Sequence, residues 1–399
     1  MESSARRNIL STIAGSALLA AGGIAGAQPA APGSDAPPPR PRARDLGIPF
    51  DGTPGPLDAI TDVPGVLVGH STVIASEGAR AARTGVTAIK ANAAVRGAWA
   101  AVHSGNGDGE MTGSHFVAEK GLLISPVLIT NTISVGTVHE AAIRWSLRTP
   151  GIEPIGLPVV AETWDGDLND IFGFHVGEEH VFAALDGAAP GPVAEGNVGG
   201  GTGMICHGFK GGIGTASRVL PEEAGGYIVG VLVQANYGSR GELRIAGIPV
   251  GREIAGFEPE IHEPEGTFGY PPSGDGSIIV VVATDAPLLP HQLERVARRV
   301  PMGLARLGSY ASTWSGDIFL AFSTVEMRDL SPVESETRYL RERRIDAVFL
   351  ATVQAVEEAI VNALVAAETM TGVHGNVIHA LPHDQVREIL RRHGRLEGE

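Results

Sequence analysis

Between Gly276 and Ser277 the chain passes, across one peptide bond, from a loop of Pro, Gly, Ser and Asp (residues 271–276) to the unbroken run Ser277-Ile278-Ile279-Val280-Val281-Val282. The first half is turn chemistry, and the second reads as a strand covered on both faces, because no alternate position is polar. Comparable runs recur at residues 65–70, 85–90, 122–130, 157–162, 227–236, 277–284 and 317–324. Strands of this kind require a layer on each side. The layers are supplied by helices, the clearest carrying Leu293, Val296, Ala297 and Val300 on one stripe with Glu294, Arg295, Arg298 and Arg299 opposite. Further helices are predicted over 137–148, 345–367 and 383–393. Sheets with helix layers outside them make an α+β sandwich.

The length of 399 residues allows one large or two ordinary domains. The 54 glycines, about twice the usual ~7%, imply tight turns and close contacts between layers. At the N-terminus Ala5-Arg6-Arg7-Asn8-Ile9-Leu10 precedes a weakly apolar Ala/Gly/Leu stretch ending in Ala25-Gly26-Ala27. This pattern predicts a removable twin-arginine signal over 1–27, and hence a periplasmic or secreted protein. Residues 28–43, rich in Pro, Ala and Arg, read as a linker, leaving 44–399 as one folded domain. No later stretch is read as membrane-spanning, and the mature form is expected to have no membrane contact. The formal charge of −15 becomes one unit more negative without Glu2, Arg6 and Arg7. So acidic a surface argues against nucleic acid as a partner. The single cysteine, Cys206, cannot form an internal disulfide and reads as a small core residue despite its neighbour His207.

Several polar residues fall at the ends of the predicted strands, where rigid backbone can aim side chains into one cleft. Glu162 and Trp164 lie two apart in Leu157-Pro158-Val159-Val160-Ala161-Glu162-Thr163-Trp164 and therefore share a face. Asn236 ends the strand Val231–Asn236, Ser315-Gly316-Asp317 precedes another, and Ser277 opens the fourth. A hydroxyl at such a boundary suits a serine that cleaves its own chain. Its oxygen attacks the Gly276 carbonyl, the acyl group shifts from nitrogen to oxygen, and hydrolysis frees an α-amine on Ser277. That amine, with an unperturbed pKa of about 7.7–8.0, can serve as base for the hydroxyl beside it. Each of these residues also has a plain reading: Asn236 as a turn cap, Glu162 paired with a surface Arg, and Ser315-Gly316-Asp317 as a turn.

With these residues in place, the chain from about residue 45 onward resembles the DmpA-type peptidases, the family of L-aminopeptidase/D-esterase-amidases and β-peptidyl aminopeptidases. The resemblance rests on Ala59-Ile60-Thr61-Asp62-Val63-Pro64-Gly65-Val66, His103-Ser104-Gly105-Asn106-Gly107-Asp108, the Glu162 segment, Gly199-Gly200-Gly201-Thr202-Gly203-Met204, and Gly276-Ser277 with its strand. It implies a four-layer αββα sandwich like that of N-terminal-nucleophile hydrolases, self-cleaved into 28–276 and 277–399 and assembled as a homotetramer. It further implies Ser277 as nucleophile, Asn236 as an oxyanion donor, Glu162 as receptor for the substrate's amino group, and Ser315 with Asp317 as the pair that tunes the nucleophile's amine. Two positions depart from the family pattern: Asp317 stands where Glu is usual, and Trp164 where some members carry Tyr.

The Gly199–Gly203 run fits neither nucleotide motif, and close packing or backbone N–H groups near the site are expected of it. There is no H-E-x-x-H and no paired ligand spacing among the 13 histidines, so no metal or other cofactor is expected. Nor is there a G-x-S-x-G elbow. The expected function is a self-processing serine aminopeptidase or amidase acting on small peptides, amides or esters with a free amino terminus. Two rivals remain at this level: an acyltransferase of ornithine acetyltransferase type, whose nucleophile is normally Thr, and a non-catalytic periplasmic binding protein on the same scaffold.

Overall fold

The computed structural model describes residues 40–91, 97–150, 152–262, 276–325 and 337–397. The predicted signal peptide, most of the linker and the loop 271–275 lie outside them. Two sheets face each other. The first has strand order β1(Leu67–Ala75), β2(Ala82–Lys90), β5(Val127–Asn131), β6(Val159–Thr163). The second runs β4(Leu122–Leu123), β3(Ala98–Gly107), β12(Gly316–Ser323), β11(Ser277–Thr284), β10(Ile228–Asn236), β9(Gly212–Val219). Two small hairpins, β7(Ile205–Cys206) with β8(Phe209–Lys210) and β13(Met370–Thr371) with β14(Val377–Ile378), stand apart from them.

Three apolar layers hold the stack together. Between the sheets lie Ile89, Ile129 and Ala161 from one side and Leu232, Ile279, Val281 and Leu320 from the other. Outside the first sheet, Val86, Leu128 and Val160 pack on α2(Val135–Arg148) and α3(Glu178–Asp186). Outside the second, Val231, Val280 and Phe319 pack on α5(Pro290–Ala297), α6(Val300–Arg306), α7(Asp346–Ala366) and α8(His383–Arg392). The remaining short helices are α1(Ser114–Lys120) and α4(Val250–Glu253). Along β11, Ile278, Val280 and Val282 enter the outer core while Ile279, Val281 and Ala283 enter the inner one. The run is continuous because both faces are dry. This is the α+β sandwich expected from the strand and helix pattern, in the four-layer αββα order that the family resemblance implied.

Three details differ from the sequence reading. Residues 122–130 form two strands in different sheets, split where Ser125-Pro126 turns the chain. Strands β3 and β9 were not anticipated, since Gly, Ser and Thr interrupt their apolar pattern; nor was α3, only nine residues long. Helix α7 is long and apolar enough to cross a membrane, with a mean hydropathy of 1.6 over its best window, although no such stretch was read there. It is the buried centre of the outer helix layer, which explains apolar residues all round it.

Polar residues fasten the layers at two places. Arg44 binds Glu358 of α7 through Nε at 2.6 Å and Nη2 at 2.8 Å, and Arg218 of β9 reaches the same carboxylate at 2.6 Å. Arg42 joins Glu195 at 2.9 Å and Asp58 at 3.2 Å, so the segment from Arg40 to Asp62 is tied across β9. Nearer the strand ends, Gln234 of β10 donates to the Thr130 carbonyl at 3.0 Å and to Thr163 Oγ1 at 2.8 Å. It thereby locks the second sheet to β5 and β6 of the first.

Candidate active site

The polar strand ends meet at one edge of the sandwich because β11 runs parallel to β12 and antiparallel to β10. The start of β11 therefore lies beside the start of β12 and the end of β10. Asn236 and Ser277 are direct cross-strand partners, and Ile278 pairs with Asp317. Strand β6 brings Glu162 against this edge from the other sheet. A Cβ built on Gly109 would lie 3.1 Å from Gly316 Cα and 3.2 Å from Glu162 Oε1. Ser277, Asn236, Glu162, Ser315, Asp317 and Gly276 are thus brought together, with Trp164 at the margin.

The Gly276–Ser277 peptide is held at both ends. Ser315 Oγ lies within hydrogen-bond reach of the Gly276 carbonyl oxygen, and the Gly316 N–H donates to Ser277 Oγ at 3.0 Å. Ser315 Oγ also lies 2.6 Å from Asp317 Oδ1. Gly276 packs so tightly that a Cβ there would overlap the Asn236 carbonyl oxygen and come within 3.0 Å of Asn236 Nδ2. Glycine is therefore the residue the position admits, and the Asn236 amide nitrogen lies beside this peptide. The Asn236 amide has a fixed orientation: Oδ1 accepts from the Ile205 N–H at 2.7 Å, and Nδ2 donates to the Trp164 carbonyl at 2.9 Å. The second N–H of Nδ2 remains as a donor.

Glu162 is buried and accepts hydrogen bonds from the Glu110 N–H at 2.9 Å and from Thr132 Oγ1. It makes no surface Arg pair among the described residues. Burial raises its pKa above the ordinary value, against the pull of those two donors. An incoming ammonium would supply the countercharge that burial denies it. Asp317 is pushed up to about 6, chiefly by burial, with Ser315 and the Ile278 N–H opposing. Trp164 is half-buried, packs edge-on to Phe172 at 6.3 Å, and serves Asn236 through its carbonyl.

Two partners were not visible as site residues in the sequence. Thr132 lies just past β5, and only the parallel pairing of β5 with β6 carries it to Glu162. Asn106, within the quoted His103–Asp108 stretch, donates to the carbonyls of Ser315 and Ser312, the latter at 2.8 Å, and so pins the loop before β12. The Gly199–Gly201 turn is the close-packed element expected: a Cβ at Gly200 would overlap Gln234 Oε1. Cys206 is fully buried, its thiol pushed up to about 12 by burial, and burial holds His207 down at about 4. The thiol therefore stays protonated near neutrality, and both side chains are sealed from solvent. Among the described residues no group of three His, Cys, Asp or Glu side chains could hold a metal ion.

A four-layer sandwich whose strand ends gather a serine hydroxyl, an amide donor and a buried carboxylate defines a hydrolase of the N-terminal-nucleophile type. The sequence model of peptidase family S58 matches residues 58–378. The chain belongs to that family, and it is a serine aminopeptidase/amidase. It is 49% identical over 373 residues, covering 88% of this chain and 91% of the relative, to the β-peptidyl aminopeptidase BapA of Sphingosinicella xenopeptidilytica. A Burkholderia sp. β-aminopeptidase is 47% identical and superimposes with a TM-score of 0.79, covering 88% of this chain and 98% of that one. The L-aminopeptidase D-Ala-esterase/amidase of Ochrobactrum anthropi is 46% identical with a TM-score of 0.80, covering 90% of this chain and all of that one. These likenesses favour neither the acyltransferase nor the binding-protein rival.

Because Cys206 is sealed in the core, iodoacetamide at pH 8 should leave activity unchanged and label the thiol only in denaturant. Inactivation in step with labelling of the native enzyme would restore the Cys206–His207 pair as a candidate.

Proposed function

We propose that the chain matures by cleavage between Gly276 and Ser277 and that Ser277 then releases N-terminal residues, including β-amino acid residues, from peptides, amides and esters. The observation that carries this reading is the clamped peptide: the Gly276 carbonyl on Ser315 Oγ, the Ser277 oxygen on the Gly316 N–H, and the Asn236 amide alongside. In maturation Ser277 Oγ bonds to the Gly276 carbon, the C–N bond breaks, and the nitrogen takes the hydroxyl proton. Water then hydrolyses the ester, leaving a Gly276 carboxylate and a free Ser277 amine.

In turnover that amine takes the Ser277 hydroxyl proton as the oxygen attacks the substrate carbonyl, and hands it to the departing amine. Water enters against the acyl-enzyme by the same base. Asn236 donates to the oxyanion in both reactions, from an orientation fixed beforehand by Ile205 and Trp164. Glu162 receives the substrate's ammonium, which limits the enzyme to substrates with a free amino terminus. The names of the relatives near half identity support β-residues as substrates. The twin-arginine pattern at Arg6-Arg7 supports export to the periplasm or beyond, and the family resemblance supports a homotetramer of cleaved units.

Ser315 carries one hydrogen but meets two oxygens. When it donates to the Gly276 carbonyl, its contact with Asp317 requires the proton on the carboxyl; once Asp317 ionises, the hydroxyl turns to the carboxylate. Carbonyl polarisation is therefore strongest below about pH 6. The base of turnover is a free amine with an unperturbed pKa of about 7.7–8.0, which loses function as it protonates. Relative to each other, maturation and turnover should shift in opposite directions: Asp317→Asn, which keeps a donor toward Ser315, should remove the decline in fragment formation above pH 6 while leaving the acid fall in turnover. Identical pH profiles for fragment formation in the unmodified and Asp317→Asn chains would refute the coupling.

N-terminal sequencing of the smaller fragment should begin at Ser277, and Ser277→Ala should give one intact, folded, inactive chain. A different start, or amide hydrolysis by Ser277→Ala, would transfer the role to another residue.

Glu162→Gln should raise KM at least tenfold for substrates with a free amino group, since a charge-assisted bond to a cation becomes a neutral one. Equal cleavage of acetyl-capped and free peptides by the unmodified enzyme would remove Glu162 from this role.

A further inference from the structure

Lys210 has no part in the reaction described above, yet it is wholly buried at the end of the β7–β8 hairpin. Lysine is almost never fully buried without a countercharge, and Lys210 forms no ion pair among the described residues. Its Nζ instead meets three main-chain carbonyls: Met204 at 2.8 Å, Gly211 at 2.9 Å and Gly201 at 3.4 Å. Burial lowers the Lys210 pKa to about 7; in the charged form three ammonium hydrogens match the three acceptors, and the neutral amine above that pH still donates two.

The Met204 carbonyl is one end of a peptide unit whose other end is the Ile205 N–H. That N–H is the donor that fixes Asn236 Oδ1 at 2.7 Å. One continuous line therefore runs from Lys210 Nζ–H to the Met204 carbonyl, through the peptide to the Ile205 N–H, and on to the Asn236 amide. A second donor, the Gly211 N–H, reaches the same carbonyl at 2.9 Å and steadies the peptide plane. In a dry interior such chains polarise one another: the lysine donor on the carbonyl, strongest when charged, makes the Ile205 N–H a stronger donor, which in turn makes the Asn236 Nδ2–H groups stronger donors.

We propose that Lys210 is a positioning residue that orients and polarises the Asn236 amide, the oxyanion donor, through the Met204–Ile205 peptide. The inference rests on the reading of Asn236 given above. Unlike a residue that merely fills the core, Lys210 acts on kcat, since the strengthened donor matters where negative charge develops on the oxygen.

The test compares Lys210→Met, which keeps an unbranched chain but no donor, with Lys210→Gln, which keeps a neutral donor, in the mature full-length enzyme after active-site titration. Loss of a whole oxyanion donor costs about 10²–10³ in rate, so Lys210→Met, acting through one, should lower kcat about tenfold with KM within twofold, and Lys210→Gln should fall between. The decisive readout is non-additivity. In an Asn236→Ala background, Lys210→Met should slow the reaction no further, because the line then ends on nothing. Precursor cleavage passes through an oxyanion beside the same amide, so the rate of fragment formation gives this comparison in variants that mature slowly. Unchanged kcat in both Lys210 variants, a change in KM alone, or an undiminished loss in the Asn236→Ala background would each overturn the proposal. Full activity in Asn236→Ala alone would instead remove the oxyanion role itself, a separate outcome.

Discussion

The hydrogen-bond register of β10, β11 and β12 is the constraint on which the site depends. Side chains alternate across a sheet with period two, so a slip of one residue would send Ser277 from the inner face toward the helices. The same slip would move Ile279 and Val281 out of the inner core and Val280 out of the outer one. Both faces are fully buried, and apolar residues fill both. Register therefore follows from packing shape and from the neighbouring strands. One such anchor is Gly276, which allows the chain to enter β11 hard against the Asn236 carbonyl.

Burial at that edge sets the chemistry as much as position does. Glu162 and Asp317 both have raised pKa values, because a dry surrounding disfavours their charged forms. Burial acts on histidine in the opposite sense, holding His70 and His207 down at about 4. In the proposed mechanism the base is a main-chain amine, which would arise by cleavage beside the hydroxyl it activates.

The Ser277 boundary was legible because turn residues and β-branched residues differ sharply on either side of one bond. The strand 277–284 matched to the residue, as did the gathering of Glu162, Asn236, Ser315 and Asp317 at strand ends. Strand 122–130 failed because an apolar run carries no mark of which sheet each half joins; Pro126 divides it, and the halves part company. Helix α7 shows the same limit from the other side, since a helix apolar all round can be a membrane span or the middle of a helix layer until its neighbours are known.

By itself the sequence determined the two-sided burial of the strands, and hence a layered fold, together with the polar residue that ends or opens each strand. Those are local properties, written in side-chain type and period. Only the tertiary structure decided that Thr132 would reach Glu162, that Asn106 would pin the loop before β12, and that buried Lys210 would donate to the carbonyl of the peptide whose N–H holds Asn236. The first two contacts join residues 30 and 209 positions apart, and the third passes from Lys210 through the Met204–Ile205 peptide to Asn236, 31 positions beyond Ile205. No periodicity encodes such pairs, because they follow from which strands become neighbours and in which direction they run.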